Sequence, residues 1–286
     1  MIEKPTRRGE TSGDYNHLYS GSAEGSQVLG QTQEERSSEL MAGARAMVLP
    51  SPLNYALSSI RGRTMARLYL NMPGGQDLQR YVQFRNSAQI EIFRRGIPAG
   101  CEQPRLLEPY VGFGILSLSL AETFPQATVF ELDRPDTIAE RQRRLSGMQK
   151  PANVRTLSAN LDQRPLHELL GGEPMHVILS NGLFLTSEEY TQALRYLRTL
   201  LAPDGAIFAI LPWAAGTEQN VWGRMYKMQI SKYPGAIRSR DQFIQILNRA
   251  GFYDVQLFDI RELGQEIGCP HVANFEIWAL ARQAHP

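Results

Sequence analysis

Two glycines and three acids hold most of the chemistry this chain can do. Glu108 ends the short apolar run Leu106 and Leu107, and the chain then turns through EPYVGFG, Glu108 to Gly114. Ile115 to Phe124 alternates apolar and small residues at near-helical spacing, and after Pro125 a second apolar run, Ala127 to Leu132, carries Glu131 and Asp133 at its end. Gly112 and Gly114 allow the backbone to approach a ligand closely, and a carboxylate roughly 20 residues past such a turn suits a ribose diol. Side chains two apart on a strand share a face, so Glu131 and Asp133 are expected to look into one crevice. The pattern reads as strand, glycine turn, helix and strand: a nucleotide-binding βαβ unit. The bland alternative is an ordinary turn with a solvated strand-end acid. A dinucleotide fingerprint would put its third glycine at Ser117 and would open its domain. Here about 100 residues come first, which argues for another cofactor.

The elements needed to position these residues follow along the chain. Helices are expected over Pro135 to Leu145, Pro165 to Leu170, Ser187 to Leu201 and Ser239 to Ala250, with Ser187 as a cap and LLAPDG and Gly251 as stops. Strands are expected over Val154 to Leu157, His176 to Ser180, Ala206 to Leu211, Val255 to Ile260 and Phe275 to Ala281. Strands alternating with helices predict an α/β fold: a Rossmann-like, mostly parallel seven-stranded sheet with helices on both faces. Ligands of such sheets sit beyond the carboxyl ends of the strands, where Asn160 and Asp162 also fall. Arg141, Arg143 and Arg144 read as a solvated helix face. Ahead of the sheet, Leu40 to Gly96 has helical periodicity over Ala42 to Leu49, Leu53 to Leu70 and Leu78 to Arg95, a helical cap. The expected organisation is an arm over 1–39, the cap over 40–100 and the cofactor-binding domain over 101–286.

The chain has 286 residues, 42% of them hydrophobic, enough for one large core with an appendage. A net charge of +1 gives no bulk field for nucleic acid or an anionic membrane, which leaves a small molecule as the expected partner. Cys101 and Cys269 lie far apart without metal-ligand neighbours, so neither a metal site nor a disulfide scaffold is expected. No apolar stretch of signal-peptide or membrane-spanning length opens the chain, and a cytoplasmic protein is the expectation.

The arm is polar and aperiodic, which predicts mobility. Tyr15 and Tyr19 are either incidental or part of a segment folding over a substrate mouth or onto a neighbouring subunit. Residues 213–233 break the regular alternation with Trp213, Trp222 and Tyr226, a candidate substrate wall on a long connection. His271, between the last two strands, is the candidate general base.

From roughly Gln79 to Arg282 the chain resembles class I S-adenosylmethionine-dependent methyltransferases. Within them it looks most like the leucine carboxyl methyltransferase and polyketide O-methyltransferase group. YVQFRNSAQ (Tyr81 to Gln89), the glycine turn, FELDRPDTIAERQRRL (Phe130 to Leu145), ANLD (Ala159 to Asp162) and SNGLFLTSEE (Ser180 to Glu189) carry the likeness. The resemblance implies S-adenosylmethionine as cofactor. It puts the cofactor carboxylate on Arg85, the ribose on Asp133 with Glu131 beside it, and adenine on Asn160 and Leu161. Glu108, Tyr110, Gly112, Gly114 and Asn181 then line the same site. Tyr110 stands where the group has a glycine, and Asn160 and Asn181 where it has acids. The implied activity is methylation of a hydroxyl or carboxylate oxygen on a small metabolite. Carbon or nitrogen acceptors, a cofactor-binding protein that no longer methylates, and a nicotinamide-dependent oxidoreductase are the rival readings.

Overall fold

A computed structural model describes residues 33–159, 165–182, 185–214 and 231–283, with Arg224 and Met228 besides. Tyr15, Tyr19, Asn160, Leu161, Asp162, Trp222 and Tyr226 lie outside them.

Seven strands form one sheet in the order β3-β2-β1-β4-β5-β7-β6. They are β1 (Arg105–Pro109), β2 (Thr128–Asp133), β3 (Val154–Ser158), β4 (Met175–Asn181), β5 (Leu201–Pro212), β6 (Phe252–Asp259) and β7 (Glu276–Gln283). β3, β2, β1, β4 and β5 pair in parallel, whereas β7 runs antiparallel to both β5 and β6. This is the mostly parallel Rossmann-like sheet expected from the sequence. Because β7 is reversed, its first residue, Glu276, lies opposite Pro212 at the end of β5 and joins the edge where the parallel strands finish.

The central strands are apolar on both sides because helices cover both faces. Leu106, Val177, Phe208 and Trp278 pack under α4 (Gly75–Gly96), α5 (Leu116–Thr123) and α10 (Ile260–Glu266). Their neighbours Leu107, Ile178, Ile207 and Ala279 pack under α7 (Leu166–Leu169), α8 (Ser187–Arg198) and α9 (Arg240–Arg249). Phe84 and Phe208 flank Trp278 with ring centroids 5.4 and 5.3 Å away, so α4 is anchored in the sheet core. Only the start of α4, through Leu78 and Val82, joins the smaller cap core.

That cap is made by α1 (Gln33–Val48), α2 (Pro52–Leu57) and α3 (Ile60–Asn71). α1 crosses α3 where Gly43 meets Gly62: a Cβ on Gly43 would stand 2.1 Å from the Gly62 carbonyl oxygen, so only glycine permits the approach. No membrane-length apolar helix occurs among the described residues.

Several local expectations change. α1 begins at Gln33, inside the stretch that polarity assigns to the arm. Leu53 to Leu70 is two helices, because Ser59 stays extended and caps α3 by accepting from the Gly62 N–H at 2.9 Å. α8 is capped by Thr186, not Ser187, in a reciprocal box with Glu189. The connection expected over Arg261 to Asn274 contains α10, started by Asp259 accepting from the Arg261 N–H at 2.9 Å.

Candidate functional site

The glycine turn is held from β2 and from the cap. Tyr110 leaves β1 with φ 58° and Gly112 follows with φ 50°, both in the left-handed region. Gly112 donates its N–H to Asp133 Oδ2 at 2.8 Å, so the aspartate at the end of β2 faces the glycine bend, and Oδ1 accepts from the Arg134 N–H at 2.8 Å. Burial pushes the Asp133 carboxyl up, against those two hydrogen bonds. On the cap side Ser38 accepts the Phe113 N–H at 3.0 Å while Arg45 donates to the Phe113 carbonyl, so α1 holds one residue of the turn by both its backbone polar groups. A Cβ at Gly112 would approach Ser38 Oγ to 2.5 Å, a second reason for glycine there. Tyrosine gains nothing from its own left-handed backbone. Tyr110→Gly is expected to raise stability by up to ~1 kcal/mol, read as a higher midpoint in urea; a lower one would mean the ring's packing outweighs the strain.

Behind the turn lies a buried charge network. Glu108 accepts the Ser117 N–H at 2.7 Å and so caps α5, whose own N-cap, Ile115, has no side chain able to do it. Burial pushes the Glu108 carboxyl up to about 7, against the pull of Arg141. Arg141 on α6 (Pro135–Arg144) is fully buried; it donates to the Gly114 carbonyl at 2.6 Å and to Glu131 Oε2 at 3.0 Å. Burial alone would raise the Glu131 carboxyl, but Arg141, Thr156, Ser117 and Lys150 together hold it down at about 2.

These contacts correct two expectations. Glu131 and Asp133 do not share a crevice: two residues back along the strand is about 6.6 Å, which puts Glu131 beneath the start of α5, its oxygens taken by Ser117, Thr156, Arg141 and Lys150. Nor is the α6 arginine row one solvated face. Arg143 is exposed, Arg141 is buried, and Arg144 lies over the Phe113 ring at 3.8 Å while pairing with Glu39 of α1 at 2.5 Å.

A cavity of about 650 Å³ opens at this edge of the sheet. Of the residues proposed from sequence, Arg85, Glu108, Tyr110, Gly112, Gly114, Asp133 and Asn181 line it; Glu131 does not. Trp213 packs on the α8–α9 side of the sheet instead, where its N–H bonds the Phe275 carbonyl at 2.8 Å. His271 is exposed with φ 67° and is not in the wall, because α10 takes up the connection that would have carried it inward.

Sequence reasoning missed Arg45, Ser38, Tyr81 and Glu276, all in the wall. Tyr81 donates to Glu276 Oε2 at 2.7 Å, and Trp278 Nε1 donates to the same oxygen at 2.8 Å. The signal for Arg45 was available: a lone charge among Ala42, Ala44 and Ala46, all fully buried. Arg45 and Arg85 both carry a buried Nε with no hydrogen-bond partner. Burial, then Arg85 and Arg141, push Arg45 down to about 10. Burial also opposes the charge on Arg85, but Tyr81, Glu276 and Glu108 raise it above its ordinary value. Both guanidiniums are charged at neutral pH, an arrangement that suits an anionic group between them.

No family model matches the chain. A curated relative, malonyl-(acyl-carrier protein) O-methyltransferase of Geobacter sulfurreducens, is 25% identical over 197 residues, 66% of this chain and 71% of the relative. Human N-acetylserotonin methyltransferase, solved in complex with S-adenosylmethionine, matches with a TM-score of 0.51 and 13% identity over 90% of this chain and 68% of its own. The pyocyanin biosynthetic protein PhzM matches with a TM-score of 0.51 and 18% identity over 94% of this chain and 76% of its own. The fold is therefore that of the class I S-adenosylmethionine-dependent methyltransferases. The curated relative is a methyltransferase by name.

Proposed function

We propose that the chain transfers the methyl of S-adenosylmethionine to an oxygen, hydroxyl or carboxylate, of a small acceptor. The observation that carries this is the Asp133 carboxylate turned onto the Gly112 N–H at the mouth of a cavity whose wall also holds two arginines with unpartnered nitrogens. Those residues fit the cofactor by charge and hydrogen-bonding type. Asp133 suits a ribose diol, Arg85 and Arg45 suit the carboxylate, and Tyr110, Gly112 and Gly114 border the path between them. Oxygen as acceptor atom is supported by the curated relative, an O-methyltransferase by name. The residues shared with leucine carboxyl and polyketide O-methyltransferases, Arg85 foremost, support the same subgroup. The relative's acceptor is named as carrier-protein-bound, and delivery on a carrier is part of the reading.

When bound, S-adenosylmethionine supplies an electrophilic methyl on a sulfonium. The protein's share is to hold the acceptor oxygen in line and keep water out. A carboxylate acceptor needs no base. For a hydroxyl, the candidate base is Glu276, a half-buried carboxylate in the wall that accepts from Tyr81.

Calorimetry with S-adenosylhomocysteine and with 5′-methylthioadenosine, which lacks the carboxylate, tests the assignment. Arg85→Gln is expected to weaken the first at least ~10-fold, the scale of one charge-assisted bond, and leave the second unchanged. Equal losses for both, or no binding of either to the unaltered protein, would overturn it.

A further inference from the structure

The outer face of the cap carries a charge bias that the chain as a whole does not. Between Leu49 and Tyr81 there are four arginines, at 61, 63, 67 and 80, no lysine and one acid, Asp77, in a chain of net charge +1. Asp77 is itself buried, with Arg80 at 4.0 Å. Arg61, Arg67 and Arg80 are exposed, and Arg63 lies over the Tyr55 ring at 5.4 Å. Interleaved with them are the largest exposed apolar side chains of the cap: Ile60 at 77% and Leu68 at 65%, eight residues apart on one side of α3, with Tyr55 at 49% beside them. Arginine and tyrosine mixed with apolar residues is the composition of a protein-binding patch, and it lacks the lysines that mark a merely solvated basic face.

Three considerations select the occupant. The guanidinium fork matches carboxylates two hydrogen bonds at a time, so the complementary surface is acidic. A second copy presenting the same face would meet like charge. A membrane-surface helix needs an unbroken apolar stripe, whereas α3 places Thr64 and Arg67 between Ile60 and Leu68. The patch also adjoins the site. Ser59, the residue before Ile60, donates to Glu39 Oε2 at 2.7 Å, and Glu39 is in the cavity wall. A partner seated on Ile60 and Arg61 is therefore two side chains from the proposed cofactor pocket.

We infer that the α2–α3 face is the docking surface for an acidic acyl carrier protein that presents the acceptor to the cavity. This rests on the proposed reading of a carrier-borne acceptor. Docking uses Arg61 and Arg67 against carboxylates on the carrier, with Ile60 and Leu68 excluding water at the centre.

The test is titration of labelled holo acyl carrier protein of Geobacter sulfurreducens into the full chain at low and at physiological salt. S-adenosylhomocysteine calorimetry on the same samples reports separately on the cofactor reading. The expected result is saturable binding, weakened by salt and weakened at least ~10-fold in R61E/R67E. It should be unchanged in R249E, which alters an exposed arginine on α9, and S-adenosylhomocysteine affinity should be equal in all three proteins. Absence of carrier binding, or equal binding by R61E/R67E, overturns the proposal while leaving the cofactor reading standing. So does tighter binding to phosphatidylglycerol vesicles than to the carrier, or a self-association that R61E/R67E abolishes.

Discussion

Arg141→Met is expected to destabilise the protein by about 3–5 kcal/mol, the cost of breaking a buried ion pair from one side. Arg141 is fully buried, joins Glu131 at 3.0 Å and holds the Gly114 carbonyl at 2.6 Å, so its loss strands a carboxylate and frees a peptide of the turn together. The pH dependence gives the sign. In the folded chain the Glu131 carboxyl sits at about 2, below its ordinary 4.5. A depressed carboxyl stabilises fully above the unfolded value and loses that contribution as pH falls through the folded one. The gap between the unaltered protein and Arg141→Met should therefore be widest above pH 4.5 and shrink toward pH 2. Arg143→Met, on the exposed side of the same helix, should stay within about 0.5 kcal/mol. Urea unfolding across pH 2 to 7 measures all three, and a loss for Arg141→Met no larger than that for Arg143→Met would show the network to be ornamental.

Asp133→Ala is expected to raise the Kd for S-adenosylhomocysteine roughly 10- to 150-fold, from the ~1.5–3 kcal/mol carried by hydrogen bonds to a charged group. The effect has two parts. The carboxylate proposed for the ribose diol is gone, and Gly112 loses the acceptor that fixes its N–H at 2.8 Å. Asp133→Asn separates them, because an amide oxygen still accepts from Gly112 while the charge is lost. An intermediate Kd for the amide, with an unfolding midpoint close to that of the unaltered protein, is the expected pattern. Calorimetry showing all three proteins within threefold of one another would remove Asp133 from the cofactor site.

What the sequence made legible was whatever depends on neighbours along the chain. A glycine turn after a strand, an acid at the next strand's end and alternating elements all follow from local conformational rules, and Gly112 facing Asp133 is where those rules lead. Arg141 was not legible, because within RQRRL nothing separates it from Arg143 and Arg144. Its partners arrive from β2 and the turn only after folding. The start of α1 was hidden for a related reason: its Ser38 and Glu39 look like tail residues until Phe113, Ser59 and Arg144 take their polar groups. His271 was favoured for its residue type, and the sequence carried no strong sign that α10 would fill the connection around it. Glu276 needed the reversal of β7 to reach the site, a topological fact with no local signature.

The wall of the cavity draws on residues from Ser37 in the first described helix to Glu276 in the last strand. No stretch shorter than residues 37–276 holds all of it, so ligand occupancy reports on assembly of that whole span. At a hundredfold excess over its Kd a ligand adds about 2.7 kcal/mol to such a state. A heated sample with and without nucleoside therefore doubles as a ligand screen. In the cell, the same linkage would make the protein's lifetime respond to the supply of whatever fills that space.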